Sequence, residues 1–552
     1  MCLRSSLKIL NFRRKVVTVP ICLLTLTVAG ASLSSKPLNP FSDHSSDNLT
    51  TGLDGILRSS RALWTITSNV VDYKYSLYGL PNDSDQYRHL LSEVHSRSAK
   101  RILKLCEANK GFYVKAGQFA AALRQLPTEY SSTLASLHDQ ATPCNFKAIK
   151  EVLNSNLGKD LSQIFLSFDE QPVAAASIAQ VHHAVLKDHH EEVAVKVQYP
   201  GLEQQLKVDI KTMSFISKSV AFLFPEYRFH WLVSEFAEAI TLELDFVSEA
   251  KNSERTANNF RNSSIVKIPR VFWELTTSRV MTMEFCKGCK VNDVESLKEF
   301  GVDPVAVANE LANVFSEMIF VHGFVHGDPH PGNILVSPRG KNGFYLVILD
   351  HGIYKQLNEE FRLGYCQLWK ALILQDPKGI RQMAERFGVG KYYQYFPVMF
   401  TGRTINSNSG LGQGMTNEEK VKMREELKSL TMEDVSSFME SLPPDFLTII
   451  KTDGLLRSLM RRLGASQRVS LQAYAKNALY GLMLKHGSYS GKWSVSKFKA
   501  NLSYLHLRII LETVEWLSWV AKVWNFLTRK FKQVLLTYSP RYLVPSLFLS
   551  TS

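Results

Sequence analysis

Three polar residues near the middle of the chain have the types and spacing that phosphoryl transfer needs. Asp328 and Asn333 lie in the segment His326-Gly-Asp-Pro-His-Pro-Gly-Asn333, and Asp350 follows an apolar run that ends at Leu349. A carboxylate can accept the proton of an attacking hydroxyl group or water, and carboxylate and amide oxygens bind Mg²⁺ beside phosphate oxygens. We therefore predict Asp328 as the catalytic carboxylate and Asn333 with Asp350 as magnesium ligands.

A lysine upstream of these residues is placed to bind nucleotide phosphates. Lys196 ends the run Val193-Ala-Val-Lys196 and precedes another valine, so in a strand its side chain points away from the face that these valines share. Its ammonium group can then reach the phosphates of a nucleotide, and a carboxylate from a helix must hold it in position. Glu243 is the first candidate for that carboxylate and Glu249 the second, since one helical pattern from Trp231 to about Phe260 contains both.

Five motifs follow one another along the chain in a fixed order. They are Lys115-Ala-Gly117-Gln118, Ala174-Ala175-Ala176-Ser177, Val193-Ala-Val-Lys196, Glu243-Leu-Asp-Phe246 and His326 to Asn333. The series resembles the aarF-domain or UbiB family of atypical kinases over about residues 90–380.

The resemblance implies a protein kinase-like fold of two lobes that binds ATP or ADP with Mg²⁺. It implies adenine contacts along Met283, Glu284 and Phe285, and phosphate contacts along Ala174 to Ser177. It further implies a regulatory role for Lys115, Gly117 and Gln118, in an extension that folds over the cleft. Members of this family look like ATPases or small-molecule kinases that support mitochondrial lipid and quinone metabolism.

Three positions depart from ordinary protein kinases. The segment Ala174 to Ser177 stands where a glycine-rich loop would cover the phosphates, and the Cβ atom of alanine makes positive φ costly. Gly327 replaces the arginine before the catalytic aspartate, which argues against control by a phosphorylated loop. His351 replaces a phenylalanine, so we expect different packing next to Asp350.

The overall composition is that of a globular protein with more than one packed unit. The chain has 552 residues, 45% of them hydrophobic and 21% charged, which is too long for a single hydrophobic core. Residues 1–40 carry +6 of the net charge of +14, and the remaining +8 suits an anionic ligand or a membrane surface. No nucleic-acid module is recognisable in the sequence, so we do not expect nucleic acid as a partner.

Residues 1–40 look like a targeting segment with a possible membrane anchor. They are basic and free of acids, and the run from Val16 to Ala31 is apolar apart from threonines and Pro20. This composition is typical of a mitochondrial presequence, whereas Ala29-Gly-Ala31 would also suit secretion through a signal peptide. We favour mitochondria, with the apolar run as a sorting signal or an inner-membrane anchor. Residues 36–52 indicate a linker.

The periodicity of apolar residues divides the rest of the chain. Helical spacing over residues 53–165 predicts the extension, and short β-branched runs over 166–286 predict a small lobe, with its last strands at 265–273 and 279–285. Residues 287–480 are mostly helical in pattern and form the large lobe. We predict an α+β fold, because the strands precede the helices, with the ligand in the cleft between the lobes.

The last segment, residues 481–552, has the pattern of a helical tail. Trp516, Trp519 and Trp524 lie in an apolar stripe, and the basic residues Arg529 and Lys530 follow at its end. Such a helix is typical of a membrane interface, and a helix that covers the large lobe would have the same pattern. Both interpretations stay open.

The residues and the resemblance together predict an atypical kinase or ATPase that uses Mg-ATP. It would support mitochondrial lipid and membrane homeostasis and mitochondrial organisation, contact the mitochondrial membrane, and act on a lipid-like or small-molecule acceptor. The alternative is a nucleotide-gated scaffold at the inner membrane that needs no phosphoryl transfer, which Lys115, the segment Ala174 to Ser177, His351 and the aromatic tail favour. A conventional protein kinase is the third hypothesis.

Overall fold

The structure is a computed structural model that describes most of the chain between residues 48 and 483. The described ranges are 48–81, 84–122, 126–139, 143–223, 230–340, 343–405, 415–428, 437–438 and 441–483, with eight single positions between 502 and 528. The predicted targeting segment lies outside them, as does Trp519 of the tail. The chain forms two compact units, the first of residues 1–359 and 430–465 and the second of residues 360–429 and 466–552.

The first unit opens with a layer of helices. These are α1 Asn48–Ser76, α2 Asp85–Asn109, α3 Gly111–Ala122, α4 Thr128–Leu134, α5 Phe146–Leu157 and α6 Leu161–Ile164. Helix α1 already begins at Asn48, so the predicted linker over 36–52 is wrong in its last residues. Ser84 caps α2 by accepting the Tyr87 N–H, and Gly158 ends α5 in the left-handed conformation.

A five-stranded antiparallel sheet follows the helices. Its strands are β1 Phe165–Phe168, β2 Ala174–Ala175, β3 Ala179–Leu186, β4 Glu192–Gln198 and, further along the chain, β6 Val280–Glu284, in the order β1-β3-β4-β6 with β2 beside β3. Strand β4 is buried on both faces. Val193, Val195 and Val197 pack with Ile149 of α5, so Lys196 must face the other way.

Three helices separate β4 from the next strands. They are α7 Leu202–Leu223, α8 His230–Leu242 and α9 Phe246–Asn259. The expected continuous helix from Trp231 to about Phe260 is wrong, because the helix ends at Leu242 and restarts at Phe246. Asp245 causes the restart, since its carboxylate accepts the Val247 N–H at 3.1 Å as an N-cap.

The remaining part of the first unit holds a second sheet. Its strands are β5 Val266–Lys267, β7 Cys289–Lys290, β9 Ile334–Arg339 and β10 Gly343–Ile348, and β8 Phe324–His326 pairs with β11 Tyr354–Gln356. The strand expected at 265–273 is shorter than predicted, being regular only over Val266–Lys267 with an isolated bridge at Val271. The helices of this part are α10 Val294–Glu299 and α11 Pro304–Glu317.

Within the described residues, one helical stretch, Pro304–His322, has the length and apolarity of a membrane span, and 56% of it is buried inside the protein.

Further helices complete both units. They are α12 Glu359–Leu374, α13 Pro377–Arg386, α14 Phe396–Thr401, α15 Asn417–Lys428, α16 Pro444–Arg462 and α17 Gln467–Met483. Most of α12 lies in the second unit, where Trp369 packs edge to face on Tyr474 at 4.9 Å between ring centroids. Helix α16 belongs to the first unit and reaches the site described next.

Candidate active site

Lys196 of β4 is held by a carboxylate of α9. Its Nζ lies 2.6 Å and 2.8 Å from the two carboxylate oxygens of Glu249, and 3.3 Å from Oδ2 of Asp350. The Phe246 ring lies 5.1 Å from the same ammonium group. Lys196 therefore links the small-lobe sheet to the residue predicted to bind magnesium.

Glu249, not Glu243, is the partner of Lys196, which corrects our first candidate. Because α9 begins only at Phe246, Glu249 lies in its first turn and points at the sheet. Glu243 lies before that start, in the connection between the two helices, and its carboxylate meets Lys115 at 2.9 Å. In a continuous helix, the helical repeat would fix the direction of the Glu243 side chain relative to that of Glu249. The new helix start at Asp245 breaks this repeat, so the two side chains point in unrelated directions.

Lys115 reaches the predicted catalytic carboxylate from the helical extension. Besides Glu243, its Nζ lies 3.5 Å from Oδ2 of Asp328. The Lys115 side chain is only 19% exposed and that of Asp328 20%. The extension thus covers the side of the Asp328 carboxylate that carries Oδ2.

The other two residues of the extension motif hold helix α3 in place. The Gln118 side-chain N–H donates to the carbonyl oxygen of Leu137 at 2.9 Å. Gly117 leaves no room for a side chain, since a Cβ atom would lie 2.3 Å from Leu137 Cδ1 and 3.1 Å from Cys106 Sγ. Of the three motif residues, only Lys115 contacts the predicted catalytic carboxylate.

Substituting Gly117 by Ala should destabilise the protein. The overpacked Cβ forces Leu137 and Cys106 to move, which costs about 1–3 kcal/mol in a close-packed core. Gly55→Ala is the matched control, because a Cβ there would meet Val208 at an ordinary 3.5 Å within a helix. Thermal melting should be lower for Gly117→Ala and equal to wild type or higher for Gly55→Ala, and equal melting of the two variants would contradict the packing argument.

The loop around Asp328 is fixed by its own backbone and side chains. The Asp328 N–H donates to Nδ1 of His326 at 3.2 Å, and the Asn333 side-chain N–H donates to the carbonyl oxygen of Asp328 at 3.1 Å. The Leu349 N–H donates to the carbonyl oxygen of Asn333 at 2.9 Å, which ties the loop to the end of β10. Asp350 follows directly and accepts the Gly352 N–H at 2.9 Å.

Asn333 and Asp350 fit a magnesium ion by the chemistry of their donor atoms. Mg²⁺ takes one or two protein oxygens and completes its octahedral shell with phosphate oxygens and water. The backbone contact of the Asn333 amide nitrogen leaves the amide oxygen directed elsewhere, and the Asp350 side chain is 35% exposed. Among the residues that the structure describes, no group of three or more His, Cys, Asp and Glu side chains is arranged to hold a metal ion.

Opposing charges keep both aspartates ionised although they are partly buried. Burial raises the pKa of Asp328, but Lys451 and Lys115 outweigh it and lower that pKa to about 2. Burial acts in the same direction on Asp350, and Lys196 holds its pKa well below the ordinary value. A proton acceptor and an anionic metal ligand are therefore available at neutral pH.

Burial and ion pairing shift the pKa values of the paired lysines and glutamates to different extents. Burial lowers the pKa of Lys196, but Asp350 and Glu249 outweigh it and hold that pKa above its ordinary value. For Glu249 burial is the larger effect and raises the pKa to about 7, against the attraction of Lys196. Lys115 stays cationic because Glu243 and Asp328 outweigh its burial and raise its pKa.

The His351 ring beside Asp350 is neutral and makes two hydrogen bonds. Its Nε2 lies 3.1 Å from the carbonyl oxygen of Ile348, which can only accept, so Nε2 carries the hydrogen. Nδ1 then accepts from the Tyr354 hydroxyl at 3.0 Å. Burial lowers the pKa of His351 to about 3, so the ring does not titrate near neutral pH. The altered packing replaces an apolar contact with two hydrogen bonds.

The alanine segment forms strand β2 and the first residues of the tight connection from β2 to β3. The Ala176 N–H donates to the carbonyl oxygen of Ala179 at 2.8 Å, and the Tyr199 hydroxyl donates to that of Ala176 at 3.0 Å. None of the residues from Ala174 to Ser177 has positive φ, so alanine fits this backbone without strain.

The segment Met283 to Phe285 has much of its backbone engaged by the protein. Met283 pairs with Ala194 in the sheet, and the N–H groups of Glu284 and Phe285 donate to the carbonyl oxygens of Arg270 and Glu192. The Glu284 carboxylate also binds Lys267 at 2.6 Å. An adenine base would therefore have to use carbonyl oxygens of this segment, or N–H groups further along the chain.

Lys451 is a site residue that the sequence motifs did not indicate. It lies on α16 with its Nζ 3.9 Å from Oδ1 of Asp328, the oxygen opposite the one that faces Lys115. The neighbouring Thr452 hydroxyl donates to the carbonyl oxygen of His326 at 3.3 Å. One face of α16 therefore contacts the loop that carries Asp328, from a position more than a hundred residues further along the chain.

Replacing Lys451 by Met should slow turnover without weakening nucleotide binding. Asp328 would lose one of two cations that fix its orientation, and a displaced catalytic group lowers kcat on the order of tenfold or more. Arg461→Met on the exposed end of the same helix is the control. Steady-state hydrolysis should show a lower kcat, an unchanged KM for ATP and partial rescue by Lys451→Arg, whereas a changed KM alone would contradict this role.

Fold and site together define a kinase-like protein, in which a strand lysine, a helix glutamate and an aspartate meet beside a loop with a second aspartate. The ABC1 atypical kinase-like domain model matches residues 136–384 of the chain. AarF domain-containing protein kinase 1 of Mus musculus is 38% identical over 489 residues, which cover 86% of this chain and 93% of the mouse protein. The chain belongs to the ABC1, or AarF, family of atypical kinases.

Two further proteins are similar to the chain. AarF domain-containing kinase 1 of Drosophila melanogaster is 35% identical over 509 residues, covering 88% of this chain and 96% of the fly protein. The structure of the Rv3197–erythromycin complex from Mycobacterium tuberculosis has a chain that is 21% identical with a TM-score of 0.44, covering 70% of this chain and 99% of that one. The predicted family resemblance and the predicted α+β, kinase-like fold class are confirmed.

Proposed function

We propose that the protein is an atypical kinase or ATPase that uses Mg-ATP. The observation that carries this proposal is the position of Lys196, whose ammonium group bridges Glu249 at 2.6 Å and Asp350 at 3.3 Å. A lysine held between a helix glutamate and a metal-binding aspartate is the arrangement with which kinases bind nucleotide phosphates. Bound Mg-ATP would supply the phosphoryl group for transfer to an acceptor or to water.

Each residue of the site has one role in this proposal. Lys196 binds the nucleotide phosphates, and Asn333 with Asp350 hold the magnesium ion. Asp328 accepts the proton of the attacking hydroxyl group or water while the bond to phosphorus forms. Lys115 excludes large acceptors by lying 3.5 Å from Asp328. A lipid-like or small-molecule acceptor therefore fits better than a protein substrate.

The proposal is tested by adding Mg-ATP, Mg-ADP and magnesium-free nucleotide to the purified protein. A rise in melting temperature that needs magnesium, together with slow release of phosphate from ATP, supports it. Absence of both effects rejects it. Strong phosphorylation of peptides by the wild-type protein would show that Lys115 does not exclude them.

We further propose that this activity serves mitochondrial lipid and membrane homeostasis and mitochondrial organisation, in contact with the inner membrane. The acid-free, arginine-bearing residues 1–40 support mitochondrial import. Fractionation of cells that express the full chain tests the location, and glycosylation or secretion of the protein would favour the alternative of a signal peptide.

A second candidate function is a nucleotide-gated scaffold at the inner membrane that needs no phosphoryl transfer. The two contacts of Lys115, with Glu243 at 2.9 Å and Asp328 at 3.5 Å, favour it, because they occupy the carboxylate that catalysis requires. Expression of Asp328→Asn in cells that lack the protein separates the two functions. Full rescue favours the scaffold, and failure at normal abundance favours catalysis.

A further inference from the structure

The outer face of helix α1 is apolar where a surface helix is ordinarily polar. Between Asp54 and Ser76, the exposed residues are Ile56, Trp64, Val71 and Tyr75, with exposed fractions of 59%, 54%, 46% and 85%. An amphipathic helix normally turns its charged residues outward and its apolar stripe toward the core. Helix α1 has a buried side at Ala62 and a second apolar side that faces outward.

Helix α7 carries a matching face in which lysines alternate with apolar residues. Val208, Phe215 and Phe222 are 40%, 57% and 74% exposed and lie seven residues apart, which places them on one side of the helix. Lys211 and Lys218 are exposed between them. Lys207 pairs with the exposed Glu203 at 2.8 Å, and from Val208 to Phe222 every exposed residue is lysine, valine or phenylalanine.

The two faces are neighbours on one surface of the protein. Arg58 of α1 donates through Nε to Asp209 of α7 at 3.1 Å, and the hydroxyls of Ser59 and Thr212 lie 2.8 Å apart. Val208 lies next to Gly55, where a Cβ would be 3.5 Å from its Cγ1. We call the exposed residues of α1 together with those of α7 from Val208 onward the α1–α7 surface. Monomeric proteins rarely expose so many large apolar side chains side by side unless a partner covers them.

We infer that the α1–α7 surface binds an anionic lipid bilayer. Exposed tryptophan, tyrosine and phenylalanine suit the region of lipid headgroups, and lysines at the edge attract anionic headgroups. The connection to the membrane is short, because α1 begins at Asn48 and the apolar run of the sequence ends at Ala31. The intervening 16 residues span at most about 55 Å when fully extended, so a membrane-bound apolar run would keep α1 near the lipid.

This inference rests on the membrane contact in the proposed function and not on nucleotide chemistry. It assigns the contact to a surface formed by α1 of the extension and α7 of the small lobe, and not by α3, which carries Lys115. A bilayer fits better than a protein partner because, on α7, the exposed charges beyond the Lys207–Glu203 ion pair are Lys211 and Lys218, which have one sign and lie among aromatic rings.

The experiment compares full-length variants on vesicles of phosphatidylcholine with and without about 30 mol% phosphatidylglycerol. The apolar variant carries Trp64→Gln, Phe215→Gln and Phe222→Gln, and the charge variant carries Lys211→Glu and Lys218→Glu. The control carries Leu166→Gln, Val173→Gln and Phe300→Gln, which remove three apolar side chains of 57%, 55% and 42% exposure elsewhere. Both test variants should bind the anionic vesicles at least about tenfold more weakly than wild type, and the control should bind like wild type.

A local measurement separates this surface from other membrane-binding segments. Brominated lipids should quench a fluorescence component that is present in wild type and missing in Trp64→Phe. Equal vesicle binding by all variants without quenching of Trp64 would overturn the inference, as would a change of oligomeric state in the apolar variant with unchanged lipid binding. The nucleotide-induced melting shift, measured on the same variants, should stay at the wild-type value. Its absence in wild type would reject the proposed function instead.

Discussion

Asp350→Asn should abolish magnesium-dependent turnover of ATP while leaving the protein folded. The amide keeps the shape of the side chain but removes the one negative charge of the two predicted magnesium ligands, since Asn333 is neutral, and it removes the attraction to Lys196 at 3.3 Å. Loss of a charged metal ligand lowers turnover by roughly a hundredfold or more. Phosphate release from ATP at saturating magnesium is the measurement.

The matched control for this variant is Asp293→Asn. The Asp293 carboxylate also accepts a backbone N–H, that of Ser296, and so caps the N-terminus of α10. Asparagine caps a helix equally well. Asp293→Asn should keep wild-type turnover and melting temperature. Full magnesium-dependent turnover in Asp350→Asn would place the metal on other ligands and would remove the main support for the proposed function.

Those parts of the site that depend on local sequence were predictable. Asn333 and Asp328 lie in one short loop, so their mutual position depends on few torsion angles. Asp350 follows β10, which pairs with the strand β9 that begins directly after this loop. The orientation of Lys196 followed from the alternation of side chains along a strand, because the valines beside it fix which face is the core.

The parts that depend on a helix boundary or on distant packing were not predictable in the same way. Glu243 and Glu249 are six residues apart, and only the break at Asp245 decides which of them faces Lys196. The sequence signal for this helix start is an aspartate followed three positions later by a serine. The Ser248 hydroxyl donates a hydrogen bond to the Asp245 carboxylate at 2.7 Å. Lys451 carries no local signal, since its contact with Asp328 depends on how α16 packs.

The outward apolar face of α1 shows a different limit of sequence patterns. A helix with apolar residues on two sides has no single stripe, so its pattern indicates a helix without telling which side is buried. The packing of α1 against α7 decides this, through the buried contact of Arg58 with Asp209. The exposed side then becomes a candidate for binding, which the pattern alone does not distinguish from core.

Glu249→Gln should weaken nucleotide binding, whereas Glu243→Gln should leave it nearly unchanged. The first substitution removes the charge 2.6 Å from Lys196, so the ammonium group is no longer held toward the phosphates. Affinity for Mg-ADP should fall about 10- to 100-fold, the range seen when a group that positions a binding residue is removed. The second substitution frees Lys115, which is 2.9 Å from Glu243, and leaves the contacts of Lys196 with Glu249 and Asp350 in place, so the affinity should change by less than about threefold.

The pair of variants tests which glutamate serves the nucleotide and which serves the extension. Both side chains are almost fully buried, and both substitutions replace a carboxylate by an amide of the same size, so differences in packing cancel. Isothermal titration with Mg-ADP gives the affinities, and thermal melting checks the fold. If Glu243→Gln lost affinity and Glu249→Gln did not, Lys196 would exchange partners when the nucleotide binds, and the carboxylate first suggested by the sequence pattern would be the functional one.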